Sequence, residues 1–397
     1  MTPGPDEVVI SGTGVVSPLG GDVDTTWHGV VEGRSAVHQW SDLTAEGHAA
    51  QVACRVDDAI WGGAVPERRR RGRELALRAA GEALRSADLL DLDGALSGTV
   101  DPARVGVFVG STMGESGVYE DVANGVPFDL REGGAQVFAE VIADAHGIRG
   151  PRRTLGTACA AGNYAIASAA RAVASGRIDL AVAGGVEPFS RIAMVGFARM
   201  RAMAPGGCAP FGAGRRGMTL GEGAAFVVLQ RRSDVPVERA LATVAGLGLS
   251  ADAHHPTAPL EDGRGMAAAM VAALARADLA PSDIGWVSAH GTGTPRSDAA
   301  EVLALHTVFG ESPPPVSSIK GAIGHSLGAA TAIEAVMTVR ALRTGILPPN
   351  TGTVDVDPAL DVDVVLEARA TPALDRVLSC GFAFGGLNSA LVLGRAA

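Results

Sequence analysis

Residues 155–185 constrain the fold of this chain most. They read LGTACAAGNYAIASAARAVASGRIDLAVAGG: a short apolar run, then Ile166, Ala169, Ala170 and Val173 at helical spacing, then Ile178 to Gly185. That last run is long and apolar enough for a strand covered on both faces. With the buried strand predicted over Val105 to Val109 and the helix over Ala135 to His146, the order is that of a βαβ unit. Cys159 opens the helix. Unpaired N–H groups and the positive end of the helix dipole favour a thiolate there, and Ala160, Ala161 and Gly162 leave room for a carbonyl substrate. A buried structural cysteine is the competing reading, so a nucleophile needs partners elsewhere in the chain.

The second half repeats the style. Leu241 to Leu249 reads as a strand, Gly265 to Ala277 as a helix and Gly285 to Ala289 as a strand ending at His290. Ser297 to Phe309 is helical, Val316 to Ile319 a short strand, and GHSLGAATAIEAVMTVRAL a nearly all-apolar helix interrupted by Glu334. Earlier, Glu67 to Ser86 reads as a helix that buries Leu77, Ala80, Gly81 and Leu84 and begins with ERRRR, and Met218 to Gln230 ends in a strand. Two halves that each alternate strands and helices imply an α/β protein, internally duplicated, with helices on both faces of its sheets.

Composition narrows the function. A net charge of −10 over 397 residues argues against general nucleic-acid binding. No basic segment followed by a long apolar stretch opens the chain, and no apolar run reaches the length of a membrane span, so a cytoplasmic protein with no membrane partner is expected. The four cysteines form no CxxC pair, which suggests neither a zinc site nor a disulfide framework. GTGVVSPLG after the first strand lacks the GxGxxG spacing of a dinucleotide site. Of the 33 basic residues, every one is arginine except Lys320. A position that needs a compact point charge would resist replacement in this way.

Candidate chemistry gathers at strand ends. His290 lies in AHGTGTP and His325 in KGAIGHSLG, both among glycines. Glu334 is costly inside an apolar helix unless paired, and Lys320 is the available cation. Asp298 and Glu301 fit a D-x-x-E capping box, so helix capping is their expected role. GHSLG also matches the G-x-S-x-G nucleophile elbow with Ser326 as nucleophile. In that fold the histidine follows the serine, and His325 is the last histidine here, so a hydrolase is excluded.

GTACAAGNYAI, AHGTGTP, KGAIGHSLGAA and CGFAFGGLNSA, in this order, resemble the β-ketoacyl-acyl-carrier-protein synthases of the thiolase superfamily. SGTGVVSPLG, GRIDLAVAGG, LGEGAAFVVL, DAHHPTAP and DAAEVLAL extend the resemblance over essentially the whole chain. It is to the discrete elongating enzymes of bacterial fatty-acid or type II polyketide synthesis. The resemblance implies a thiolase-like fold, with two duplicated halves in five layers (α-β-α-β-α), residues 1–235 carrying the nucleophile and 236–397 the histidines and a gating loop. It implies that Cys159 takes an acyl chain from an acyl carrier protein, that His290 and His325 promote decarboxylation of malonyl-carrier protein, and that Lys320 and Glu334 support them. It places an oxyanion hole at the N–H groups of Cys159 and Phe384 and a gate at Phe384, Gly385 and Gly386. Met113 would line the acyl pocket, and Arg68, Arg69, Arg70, Arg71 and Arg201 would meet the acidic carrier. No metal or organic cofactor is implied, the substrates riding on the carrier's phosphopantetheine. The partner would be a second copy or a chain-length-factor-like subunit.

The chain departs from the family at Gly212 and Arg216, where acids are usual, at Ser297 for an asparagine, at Ala383 for a glycine and at Leu387 for a threonine. Alanine lacks glycine's access to positive φ, so a changed gating loop is expected. Chain-length factors share the fold without the nucleophile, thiolases replace one histidine with a second cysteine, and initiating synthases pair the cysteine with His and Asn. Cys159 with two histidines separates this chain from all three.

Overall fold

The computed structural model describes residues 7–45, 51–123, 125–127 and 129–396. The stretches between these, and residues 1–6 at the start of the chain where the absence of a leader was read, lie outside the described residues.

Ten strands form the main sheet: β1 (Val8–Val16), β2 (Val105–Gly110), β3 (Arg152–Leu155), β4 (Leu180–Glu187), β5 (Gly223–Arg231), β6 (Ala242–Ala251), β7 (Trp286–Ser288), β8 (Val316–Ser317), β9 (Arg376–Ala383) and β10 (Leu387–Arg395). Their order is β8-β7-β9-β10-β6-β1-β5-β4-β2-β3. Read outward from the middle, β1-β5-β4-β2-β3 becomes β6-β10-β9-β7-β8 when five is added to each number, so the duplication is one of topology. In each half two of the four strand pairings are parallel and two antiparallel, so four strands share a direction and one, β5 or β10, opposes them. Within the sheet the halves pair through Val9↔Thr243 and Ile10↔Ala242.

Six helices complete the repeat: α1 (Arg71–Ser86), α2 (Gln136–His146) and α3 (Ala161–Ala174), then α4 (Arg264–Ala277), α5 (Pro295–Phe309) and α6 (Ala330–Thr344). Side chains alternate along each strand and so feed two layers. Val105, Val107 and Val109 pack outward against Leu75, Ala79 and Ala83 of α1 and Phe138 and Ile142 of α2. Phe108 turns inward to a core shared by Ile166 and Val173 of α3 and Ile333 and Val336 of α6. In the second half Val287, Leu378 and Val392 face Met270 and Leu274 of α4 and Leu305 of α5. The result is five layers, with α3 and α6 in the middle.

Small residues let those central helices touch. A Cβ on Gly162 would stand 2.7 Å from the backbone nitrogen of Ala332, which explains the alanine- and glycine-rich sequence after Cys159. Of the residues expected on the buried face of α1, Ala80, Gly81 and Leu84 are buried and Leu77 is half-buried; Leu75, Ala76, Ala79 and Ala83 complete the face. Arg68–Arg70 form a separate 3-10 turn before α1. Among the described residues no helix is long and apolar enough to cross a membrane.

Candidate active site

The loops leaving β3, β7, β8 and β9 meet at one end of the sheet. Cys159 sits in a 3-10 turn, Ala158–Ala160, between β3 and α3. Ala158 holds φ at +48° there, a conformation costly for a residue with a Cβ. The matching turn of the second half, Leu327–Ala329 between β8 and α6, has Leu327 at +43°. His290 follows β7, Lys320 opens a one-turn helix after β8, and Phe384 opens the turn from β9 to β10. Cys159, His290, His325 and Phe384 line one cavity of about 610 Å³. The two imidazole rings lie 5.5 Å apart at 83°, and Phe382 stands 6.0 Å from His290.

Lys320 organises the charges. It is 1% exposed, forms an ion pair with the equally buried Glu334, and donates from Nζ to the carbonyl of His290 at 2.5 Å. Burial and the Lys320 ammonium push both histidines well below their usual range, and His325 adds to the effect on His290. Both rings are therefore neutral near pH 7. Burial pushes Glu334 up to about 7, against the pull of Lys320.

The thiol corrects the sequence reading. Burial raises Cys159 to about 12, although Lys320 and the nearby N–H groups of Cys159 and Phe384 act in the opposite direction. It belongs to a buried apolar cluster with Leu43, Ala53, Phe189, Met194, Met218, Leu220 and Leu327, and this apolar wall outweighs the helix dipole. The resting group is a thiol beside two neutral bases. Below a pKa of about 12 the thiolate fraction grows about tenfold per pH unit, so alkylation of Cys159 by iodoacetamide, followed by peptide mass spectrometry, is expected to rise about tenfold per unit from pH 7 to 9. A plateau near neutrality would contradict this.

Three buried carboxylates hold the loops of the site: the sequence reading gave Asp298 and Glu301 a different role and missed Glu187. Asp298 and Glu301 do not cap α5, whose N-cap Thr294 makes no side-chain cap. Glu301 instead accepts from the backbone N–H groups of His290 and Gly291 at 2.7 and 2.8 Å, and Asp298 accepts from Thr292, Gly293 and Phe211. Together they pin the HGTG loop. Glu187, at the end of β4, accepts from Thr112, Met113 and Gly328 at 2.7–2.8 Å, joining the GSTMG loop to the turn after His325. Acids among glycine-rich loops were the available signal.

Phe384 packs on Phe197 at 5.5 Å. Gly385 and Gly386 take φ of +80° and +69°, and the loop is tied down by Gly385 N–H to Pro256, Asp252 N–H to Gly386 and Asn388 to Asp252. Ala383 is extended at φ −106°, so in this state alanine replaces glycine without strain. Leu387 joins the apolar wall around Cys159, as does Met113, which does not line the cavity itself.

The arginine run divides. Arg68 and Arg70 are exposed and Arg69 is partly exposed, with Arg68 beside Glu120 and Arg69 beside Glu132, but Arg71 is held inside by Glu222, Asp58 and the carbonyl of Val56. Glu222 needs that guanidinium because it is fully buried. Arg71 is thus a structural residue, not a docking one. Arg201 is exposed and lines the cavity.

Residues 5–235 match the family model "Beta-ketoacyl synthase, N-terminal domain" and residues 241–353 "Beta-ketoacyl synthase, C-terminal domain". The chain is 34% identical over 423 residues to the 3-oxoacyl-[acyl-carrier-protein] synthase 2 of Rhizobium meliloti, covering 98% of each. Among solved structures it is similar to a β-ketoacyl synthase from Burkholderia phymatum (TM-score 0.89, 31% identity, 98% of this chain and 100% of that one). It is also similar to the ishigamide ketosynthase/chain length factor (TM-score 0.88, 33% identity, 98% and 99%). Sequence, fold and site geometry agree: the chain belongs to the β-ketoacyl synthase family.

Proposed function

We propose that the chain is an elongating ketosynthase. The carrying observation is that one cavity joins Cys159, with the N–H groups of Cys159 and Phe384 nearby, to two neutral histidines. Cys159 attacks the thioester of an acyl carrier protein, its proton passing through a neutral imidazole to the departing phosphopantetheine thiol. Malonyl-carrier protein then enters. Breaking its carboxylate C–C bond releases CO₂ and leaves an enolate whose oxygen is held by His290 and His325. The enolate carbon attacks the acyl-Cys159 carbonyl, the N–H groups of Cys159 and Phe384 receive the oxyanion, and collapse breaks the C–S bond to Cys159, leaving the β-ketoacyl chain on the carrier and a thiolate that takes up a proton from solvent. Electrons balance without an oxidant or reductant, which fits substrates carried on phosphopantetheine and no resident cofactor. Lys320 and Glu334 act at one remove, since Lys320 grips the His290 backbone.

The acidic carrier protein docks on Arg68, Arg69, Arg70 and Arg201. The partner subunit is a second copy or a chain-length-factor-like chain, in fatty-acid or type II polyketide synthesis in the cytoplasm, where four free cysteines persist. Residues 1–235 supply the nucleophile and 236–397 the histidines. Intact-protein mass spectrometry after offering a panel of acyl-carrier proteins is expected to show one acyl mass, located at Cys159. Absence of any adduct across the panel would overturn the reading.

A further inference from the structure

The aim of the His325 ring is set by the chain on either side of it, because its Nδ1 is buried without a hydrogen-bond partner. His325 donates its N–H to the carbonyl of Thr219 at 2.7 Å, and its own carbonyl accepts from the N–H of Gly221 at 3.0 Å. The chain then enters the turn Leu327–Ala329 with Leu327 at a φ of +43°. Such strain persists only where the surroundings over-determine it. Glu187 supplies the bond that does so, accepting from the N–H of Gly328 at 2.8 Å. The fit leaves no slack: a Cβ on Gly185 would stand 2.6 Å from the Gly328 carbonyl, and one on Gly328 would stand 2.6 Å from the backbone of Ser111 and Thr112.

Glu187 is fully buried, and among the described residues no basic side chain pairs with it. A carboxylate so placed destabilises the fold unless hydrogen bonds satisfy it. Two acceptor oxygens let it serve N–H groups of two loops at once, Thr112 and Met113 on one side and Gly328 on the other; a neutral amide has one such oxygen. Glu301 treats the other histidine in the same way, through the N–H groups of His290 and Gly291. Resting on the reading above, we infer that Glu187 is a positioning residue for His325, fixing the turn that aims the ring at the enolate. Loading is spared, since Glu187 makes no bond to the turn of Cys159, and its charge works with burial against the thiolate.

A double-mutant cycle on the full chain at pH 8 tests this, reading CO₂ release from malonyl-carrier protein and single-turnover loading of Cys159. Glu187→Ala is expected to slow CO₂ release at least about tenfold and loading by no more than about threefold, with alkylation of Cys159 by iodoacetamide no slower than in the unsubstituted chain. In a His325→Ala background the same change is expected to slow CO₂ release by less than about twofold, because no ring is left to aim. Glu187→Gln keeps the shape and one oxygen, so a smaller loss is expected; it takes the place of Glu187→Ala in the cycle if a thermal melt shows that variant unfolded. An undiminished effect in the His325→Ala background, equal losses in loading and CO₂ release, slower alkylation or no loss at all overturns the assignment. Unchanged CO₂ release in His325→Ala alone would instead overturn the catalytic reading on which it rests.

Discussion

With Cys159 replaced by alanine, the protein is expected to take up no acyl mass from any acyl-carrier protein and to lose condensation altogether, while unfolding close to the temperature of the unsubstituted chain. The loss is complete because the other three cysteines cannot substitute. Burial raises Cys54, Cys208 and Cys380 as well, and none of them lines the cavity. The fold survives because alanine keeps the backbone turn and removes a single sulfur, at a cost of about 1 kcal/mol. Intact mass and a thermal melt decide it. Condensation by Cys159→Ala at the normal rate would remove the assignment.

His290→Ala and His325→Ala are expected to slow decarboxylation and condensation by about 10²–10⁴ and acyl loading by much less. The asymmetry follows from the geometry. With the rings 5.5 Å apart, either neutral imidazole can pass on the thiol proton during loading, and the two N–H groups at the sulfur are untouched by either change. On the proposed reading the enolate oxygen is held by both rings, so losing either is felt in decarboxylation and condensation. Single-turnover acylation and CO₂ release from malonyl-carrier protein separate the two half-reactions. Equal losses in both would contradict the division of labour.

Much of the alternation of strands and helices was legible because most strands carry an apolar run and the helices a 3.6-residue face; β3, with the sequence RRTL, and β9 and β10 were not read as strands. Lys320 and Glu334 were legible because a lone acid in an apolar helix demands a partner. Other features depend on residues far away in sequence. The high pKa of Cys159 is set by a wall drawn from Leu43 to Leu327, invisible in the local motif. Asp298 and Glu301 match a capping template, yet the N–H groups they satisfy belong to the preceding loop. ERRRR does not reveal which arginine points inward; Glu222, 151 residues beyond Arg71, decides that. Arg216 could be recognised as a departure but not located on the cavity wall.

The paired turns before α3 and α6 bear on how such a site arises. Both have the same backbone device, Ala158 at +48° and Leu327 at +43°. In the second copy the residue after Leu327 is Gly328. Its N–H is taken by Glu187, and a Cβ there would stand 2.6 Å from Ser111. The duplicated scaffold therefore carries two cradles for an anion, one permanently filled by a carboxylate of the protein and the other left open beside a sulfur. Catalysis occupies only the cradle that the chain does not plug itself.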